Sequence, residues 1–165
     1  MTLALFKQKH RVLFICTENI CRSPLAEGLM RHYLHDAGLA RGVKVSSAGI
    51  YASQPGARPD QRARQVAASA GVDLGRIRAS RVTEKELALS DMILVMDNRN
   101  MCDLTEVCPP EHRHKTSLLL SHDPGQSLEE VPDPYYGSYE GFVQVCQIIE
   151  SAVVCLIPQI GTLAD

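Results

Sequence analysis

The sequence has little net charge and lacks any long apolar run. Its 17 basic and 19 acidic residues leave a formal net charge of −2, so the overall charge does not favour nucleic acid or an anionic membrane as a partner. No apolar stretch approaches the roughly 20 residues that cross a bilayer. We therefore expect no nucleic-acid binding and no membrane insertion, and any anion site must be local.

Metal, nucleotide and secretion signals are also missing. The six cysteines form no C-x2-C pair and the six histidines are scattered, which argues against a zinc site. No G-x4-G-K-[ST] loop is present for nucleotide phosphates, and residues 1–11 lack the apolar core of a signal peptide. We therefore expect no metal, no cofactor and a reducing cytoplasmic location, where disulfides are rare.

Predicted strands alternate with predicted helices along the chain. The strands are 11–15, 43–46, 91–96 and 116–120. The first predicted helix has Ser23 as its N-cap, Pro24 as its first residue and a stop at Gly38, and the second runs from Pro59 to near Gly71. A third begins with a capping box over 83–86, a fourth is capped by Asp97 or Asn98, and the last starts near Phe142. This order predicts an α/β fold, a three-layer doubly wound sandwich with a central parallel sheet of about four strands flanked by helices. Length and composition fit one domain, 1–165.

One loop carries the strongest chemical signal, because Cys16 and Arg22 stand at C-x5-R spacing between the first strand and the first helix. Backbone N–H groups and the helix dipole at such a loop suit a tetrahedral dianion such as phosphate. Arg22 would add a bidentate contact, while the field favours the thiolate of Cys16 as a nucleophile toward phosphorus. Ser23 would hydrogen-bond that sulfur. The predicted phosphate-binding loop is Cys16, Thr17, Glu18, Asn19, Ile20, Cys21 and Arg22.

From Val12 to Pro24, and again over Asp133-Pro134-Tyr135-Tyr136-Gly137, the sequence resembles the low-molecular-weight protein tyrosine phosphatases. The resemblance spans nearly the whole chain, including Ser46-Ser47-Ala48-Gly49. It implies hydrolysis of phosphotyrosine in two steps, with Cys16 forming a phosphocysteine and Asp133 acting as general acid and then general base. It also implies tyrosine-phosphorylated proteins as partners, an autophosphorylated tyrosine kinase among them. The oligomeric state is not predicted.

The resemblance also implies roles for further residues. Asn19 would support the loop by bonding to Ser23 and Ser47. Cys21 would form a reversible disulfide with Cys16 and so protect it from irreversible oxidation. The substrate pocket would be lined by Ile20, Ser53, Tyr135 and Tyr136, and the two tyrosines would themselves be targets of phosphorylation.

Three positions depart from the family pattern. Glu18 stands where glycine is usual, so we expect its carboxylate to turn away from the anion and point to solvent. Ser53 aligns where many members carry a tryptophan, and this chain has none. Ile77 replaces a histidine that often supports the loop asparagine, which predicts a loop held by fewer hydrogen bonds.

Two alternative functions remain open at this stage. An arsenate reductase on the same fold would need a cysteine just after the strand at 91–95, where the chain has Met96 and Asp97. A phosphotyrosine-binding module with weak catalysis would be consistent with Glu18 and the missing aromatic side chain. Protein arginine phosphatases of this fold typically carry threonine where Ile20 stands, so we favour phosphotyrosine as the substrate.

Overall fold

The computed structural model describes the backbone of residues 9–164 and the side chains of residues 9–162. Its strands are β1 (His10–Cys16), β2 (Val43–Gly49), β3 (Met92–Val95) and β4 (Thr116–Leu118). Its α-helices are α1 (Arg22–Asp36), α2 (Gln61–Ser69), α3 (Glu84–Leu89), α4 (Asn98–Val107) and α5 (Tyr139–Ala164). Two short 3-10 helices flank β4, over Pro110–Lys115 and Leu119–His122.

The four strands form one parallel sheet in the order β2-β1-β3-β4. Strand β1 lies between two neighbours, and its last residue, Cys16, pairs with Gly49 at the end of β2. Residues Val12 to Cys16 are all buried, which explains why β1 is a continuous apolar run rather than an alternating one. The predicted parallel sheet of four strands is confirmed.

Helices cover both faces of the sheet. On one face, Phe14 of β1 belongs to an apolar cluster with Leu25 of α1 and Phe142 of α5. On the other face, Leu13 packs in a second cluster with Leu87 of α3 and Leu104 of α4. Because neighbouring strand residues point to opposite faces, β1 contributes to both clusters. The predicted three-layer sandwich is therefore confirmed.

Contrary to the expectation that no apolar stretch approaches membrane-spanning length, helix α5 is long and apolar enough, over Tyr139–Thr162, to cross a membrane by length and composition alone. Its apolar stripe is used inside the protein instead, where it packs in the same cluster as α1 and α2. The buried members of the stripe, each at most 3% exposed, are Phe142, Val145, Cys146, Ile149, Ala152, Val153, Leu156 and Ile160. Packing in the core therefore accounts for the buried stripe of α5.

The start of α1 differs from the sequence prediction. The helix begins at Arg22, with Cys21 at the N-cap and no side-chain capping bond, so Ser23 and Pro24 are its second and third residues. The prediction of Ser23 as the N-cap was wrong, because its hydroxyl bonds to the Cys16 sulfur and the Asn19 amide instead of a backbone N–H. The predicted stop is confirmed, since Gly38 follows the helix with a left-handed φ of 72°.

The remaining element ends agree with the sequence to within a few residues. Thr83 and Glu86 form the predicted capping box of α3, and Asp97 caps α4 by accepting a hydrogen bond from Asn100 N–H. Helix α2 begins at Gln61 and is capped by Asp60, two residues later than expected. Strand β4 is shorter than expected, because its chain turns into a 3-10 helix at Leu119.

Candidate active site

A cleft of about 560 Å³ lies at the carboxyl ends of β1 and β3, where ligands bind in open parallel sheets. The structure brings the predicted reactive and pocket residues together there. The cleft is lined by Cys16, Arg22 and Asp133, and also by Ile20, Ser53, Tyr135 and Tyr136. These residues come from three distant stretches of the sequence, and they place a thiol, a guanidinium and a carboxylate in one cavity.

The Cys16 sulfur is buried and receives a defined hydrogen bond. The side chain is 3% exposed, and its Sγ lies 3.0 Å from Ser23 Oγ. Ser23 Oγ accepts a hydrogen bond from Asn19 Nδ2 at 2.9 Å, and its next acceptor, the Ala48 carbonyl, is 3.5 Å away. The hydroxyl proton of Ser23 is therefore free to point to the sulfur.

Asn19 fixes the shape of the loop. It has a left-handed φ of 58°, a conformation that asparagine tolerates better than most residues. Its amide donates to Ser23 and Ser47 at 2.9 Å each and accepts from Ser80 N–H at 3.0 Å. We expected Ile77 to leave the loop with fewer hydrogen bonds. The Asn19 oxygen nevertheless has a donor, because the backbone N–H of Ser80 bonds to it.

Behind the loop, the hydrogen bonds end at a buried carboxylate that the sequence analysis did not identify. Ser47 donates to Glu27, and Glu27 also pairs with Arg31, which donates to the Val45 carbonyl at 3.0 Å. Burial raises the pKa of Glu27, while the hydrogen bond from Ser47 and the charge of Arg31 oppose that rise. A continuous series of hydrogen bonds therefore joins Glu27 to the sulfur through Ser47, Asn19 and Ser23.

The Arg22 guanidinium is 2% exposed and held from behind. Its Nη1 donates to Asp97 Oδ2 at 2.6 Å and to the Val131 carbonyl at 2.9 Å. Its Nη2 makes only long contacts to two residues of the cleft, 3.5 Å to Thr17 Oγ1 and 3.4 Å to Asp133 Oδ2. Nη1 is thus committed to the protein, and Nη2 is the better donor for a bound anion.

Asp97 was predicted only as a helix cap. Its position directly after β3, at the same sheet edge as Cys16, was a usable signal for a second role.

Asp133 is half-exposed above the loop. Its side chain is 51% accessible, and its Oδ1 accepts a hydrogen bond from Tyr135 N–H at 3.2 Å. The segment before it is tied to the sheet by a 2.8 Å bond from Val131 N–H to the Met96 carbonyl. An anchored backbone carrying an accessible carboxylate suits a group that exchanges protons with substrate and water.

Arg62 of α2 anchors the other end of that segment. It donates to the carbonyls of Tyr135 and Gly137 at 2.9 and 3.0 Å, and its guanidinium carbon lies 4.3 Å from the centre of the Phe142 ring. Hydrogen bonds from Arg62 also lower the pKa of Asp60, whose N–H donates to the Ile20 carbonyl at 2.8 Å. Sequence reasoning missed this pair, and no local motif marks it.

The part of the expectation that pointed the Glu18 carboxylate to solvent was wrong, because Ser53 holds that carboxylate. Its Oε2 accepts two hydrogen bonds from Ser53, from the N–H and from Oγ, each 2.7 Å long. The carboxylate turns to Ser53 because that residue offers two donors at once.

Two aromatic rings also line the cleft. Tyr135 and the 97% exposed Tyr136 pack edge to face with ring centres 4.9 Å apart.

Cys21 lies in the same loop and is 4% exposed. Burial raises the pKa of its thiol, and the nearby charges of Asp60 and Asp133 add to that rise, so Cys21 is protonated at neutral pH. All six cysteines are free in the part of the chain that the structure describes. Within residues 9–162, no group of three or more His, Cys, Asp or Glu side chains is placed to hold a metal ion.

The chain is similar to known phosphatases over most of its length. A family described as low molecular weight phosphotyrosine protein phosphatase matches residues 11–163. A low molecular weight protein-tyrosine-phosphatase of Streptomyces coelicolor is 36% identical over 152 residues, covering 90% of this chain and 92% of the relative.

Solved structures are similar over nearly the whole chain. A protein tyrosine phosphatase from Entamoeba histolytica with Hepes in the active site has a TM-score of 0.89 at 32% identity, covering 93% of this chain and 98% of its own. Wzb of Vibrio vulnificus in complex with benzylphosphonate has a TM-score of 0.81 at 32% identity, covering 92% and 99%.

Proposed function

Because the chain belongs to the low molecular weight phosphotyrosine protein phosphatase family, we propose that it hydrolyses phosphotyrosine in proteins through a phosphocysteine on Cys16. The observation that carries the proposal is the juxtaposition of three groups in one cleft. The hydrogen-bonded sulfur of Cys16, the Nη2 of Arg22 and the accessible carboxylate of Asp133 all line it. Nucleophile, anion clamp and proton donor are the parts that cleavage of an aryl phosphate needs.

In the first step, the phosphate of the substrate lies in the loop of residues 16–22, where backbone N–H groups and Arg22 Nη2 bind its oxygens. The thiolate of Cys16 attacks phosphorus, so a sulfur–phosphorus bond forms as the bond to the tyrosine oxygen breaks. Asp133 gives its proton to that oxygen, and the product leaves as a neutral phenol. An entering dianion would displace the long contact of 3.4 Å between Arg22 and Asp133.

In the second step, a water molecule attacks the phosphocysteine. Asp133, now ionised, takes the proton of that water, and the sulfur–phosphorus bond breaks to release phosphate. The leaving group is the Cys16 thiolate, which the hydroxyl of Ser23 stabilises from 3.0 Å. The series of bonds through Asn19 and Ser47 holds that hydroxyl in place.

The substrate class is an aryl phosphate on a protein. Vibrio vulnificus Wzb binds benzylphosphonate, in which a phenyl ring is joined to a phosphonate through one carbon. The exposed rings of Tyr135 and Tyr136 at the rim of the cleft suit contact with such a ring. We infer tyrosine-phosphorylated proteins as partners, a tyrosine kinase among them, and action as a single domain in the cytoplasm, where free cysteines are the rule.

Two variants test the division of labour. Cys16→Ser removes the nucleophile and should abolish turnover of phosphotyrosine peptides, while Asp133→Asn should slow esters of poorly leaving phenols by about 10²–10⁴ and esters of well-leaving phenols far less. The control for the first variant is Cys102→Ser, at an exposed cysteine, which should retain full turnover. Kinetics across a series of aryl phosphates give the measurement.

Residual turnover in Cys16→Ser, or equal slowing of all esters in Asp133→Asn, would contradict the proposal. Consumption of arsenate with a thiol reductant, in place of aryl phosphate, would support a reductase instead.

A further inference from the structure

The side chain of Glu18 joins two segments of the cleft wall. Glu18 belongs to the predicted phosphate-binding loop. The N–H and the hydroxyl of Ser53 both donate to its Oε2, each at 2.7 Å. Ser53 and Glu18 both line the cleft. A charged acceptor that receives two short hydrogen bonds is among the stronger polar contacts in proteins.

This contact extends a series of backbone hydrogen bonds between the two segments. Ile50 N–H donates to the Cys16 carbonyl and Tyr51 N–H donates to the Thr17 carbonyl, each at 3.0 Å. The next N–H that bonds to the loop is that of Ser53, and its acceptor is the Glu18 side chain. The third hydrogen bond between the two segments therefore ends on the Glu18 side chain, whereas the first two end on backbone carbonyls of the loop.

The residue between these bonds has a strained backbone. Ala52 has a left-handed φ of 45° and is 2% exposed, a conformation that costs a residue with a side chain free energy and persists only where its surroundings enforce it. The bonds of Tyr51 to Thr17 and of Ser53 to Glu18 hold Ala52 from both sides. Without the second bond, the segment could relax out of this conformation and move Ser53.

We propose that Glu18 is a positioning residue, which fixes the Ser53 wall of the cleft and thereby sets how tightly the aromatic ring of a substrate is held. This inference rests on the proposed function, because it assumes an aryl phosphate in the cleft. The wall at Ser53 is polar and small, so its contribution to binding depends on being held in one place. The Ser53 hydroxyl acts through Glu18 and not by direct contact with substrate.

The matched pair Glu18→Gln and Glu18→Ala tests the proposal. Both variants remove the charge, but glutamine keeps a carbonyl oxygen that can accept from Ser53, and alanine does not. We expect the KM for a phosphotyrosine peptide to be about tenfold higher in Glu18→Ala than in Glu18→Gln, with kcat equal in the two variants within about twofold. The Ki of inorganic phosphate, which occupies the loop without a ring, should be the same in both.

Ser53→Ala in two backgrounds gives an independent measurement. It should raise KM a few-fold in the wild-type chain and have no further effect in Glu18→Ala, because its hydroxyl then has no carboxylate to bind. An equal effect in both backgrounds would show that the hydroxyl contacts substrate directly and would overturn the proposal.

Equal KM values in the glutamine and alanine variants would also overturn it. A phosphate Ki that rises together with KM in Glu18→Ala would show that Glu18 holds the loop itself, and would overturn it as well.

The peptide Kd of Glu18→Gln and of Glu18→Ala, each measured in a Cys16→Ser background, separates this test from that of the proposed hydrolysis. If Glu18→Ala binds the peptide about tenfold more weakly than Glu18→Gln in the Cys16→Ser background, but the wild-type chain shows no turnover, the positioning role stands and the proposed function fails. If the wild-type chain turns over the peptide and the two Kd values are equal, the proposed function stands and the positioning role fails.

Discussion

Arg22 and Asp97 form a partly buried ion pair in the wall of the cleft, with Nη1 and Oδ2 only 2.6 Å apart. The other oxygen of Asp97 caps helix α4 by accepting from Asn100 N–H. The Asp97 carboxylate therefore connects the Arg22 guanidinium to the start of α4, the helix that follows β3, and β3 is the neighbour of β1 in the sheet. Since Nη1 also bonds to the Val131 carbonyl, the orientation of the guanidinium is set by the protein before any anion arrives.

Asp97→Asn should lower kcat/KM by about 10², because the amide still caps α4 but no longer holds the guanidinium by charge. The unfolding free energy should also fall, since a buried guanidinium loses an ionised partner. Asp73→Asn, at an exposed carboxylate in the loop before α3, removes the same charge as a control. Steady-state kinetics and urea unfolding check both effects, and kcat/KM equal to that of the control would refute the role of the pair.

Arg62→Ala should slow esters of poorly leaving phenols by about tenfold, in the same direction as loss of the general acid. The reason is that Arg62 holds the carbonyls of Tyr135 and Gly137, just after Asp133. Arg64→Ala is the matched control, because Arg64 lies on the same helix and donates to the Pro59 carbonyl. Kinetics with two aryl phosphates of different leaving group check the effect, and similar slowing by the two arginine variants would count against the anchoring role.

Glu27 should make the stability depend on pH. Burial raises its pKa in the folded protein above the ordinary 4.5, so the folded state binds the proton more tightly than the unfolded chain. The unfolding free energy should therefore fall as the pH rises from about 4.5 through the raised pKa. Glu27→Gln cannot titrate, so its decline over that window should be smaller.

Urea unfolding of both proteins across this range gives the measurement, with the exposed Glu84→Gln as a control. Parallel curves for the wild-type and Glu27→Gln proteins would refute the assignment.

Cys21 should protect the nucleophile slowly at neutral pH. In the expected reaction, peroxide oxidises Cys16 to a sulfenic acid, which condenses with the Cys21 thiol to a disulfide and water. Burial raises the pKa of Cys21, and the thiolate is the attacking form, so activity recovered by dithiothreitol should increase as the pH of the peroxide treatment rises.

Cys21→Ser should recover less activity than the wild type at every pH, because its Cys16 sulfenic acid is open to further, irreversible oxidation, whereas Cys146→Ser, at another buried cysteine, should behave as wild type. Recovery in Cys21→Ser equal to that of the wild type would exclude the disulfide.

The sequence was informative wherever one segment determined its own structure. Strand β1 was recognisable because both of its faces are buried, which requires an unbroken apolar run. Cys16 and Arg22 stand at C-x5-R spacing between a recognisable strand and a recognisable helix, and this combination within one short segment predicted an anion cradle. The capping box of Thr83 and Glu86 is local in the same way.

What the sequence did not predict depends on contacts between distant segments. Arg22 and Asp97 are 75 positions apart, and Glu18 and Ser53 are 35 positions apart. No periodicity or spacing rule links such pairs, since the fold alone decides which strand ends become neighbours. The wrong assignment of Ser23 as a cap has a different, local cause. Its sequence position offered both a cap and a bond to the Cys16 sulfur, and its hydroxyl bonds to the sulfur and to the Asn19 amide instead of a backbone N–H.

Gly49, at the end of β2, pairs with Cys16 in the sheet. A methyl group on its α-carbon would come within 2.9 Å of the Glu18 carbonyl carbon and 3.0 Å of the Asn19 nitrogen. The proposed phosphate-binding loop can therefore pack this closely against β2 only because a hydrogen atom stands where every other amino acid has carbon. The closeness of that packing thus depends on the smallest side group in the chain, on a strand that contributes no proposed reacting atom.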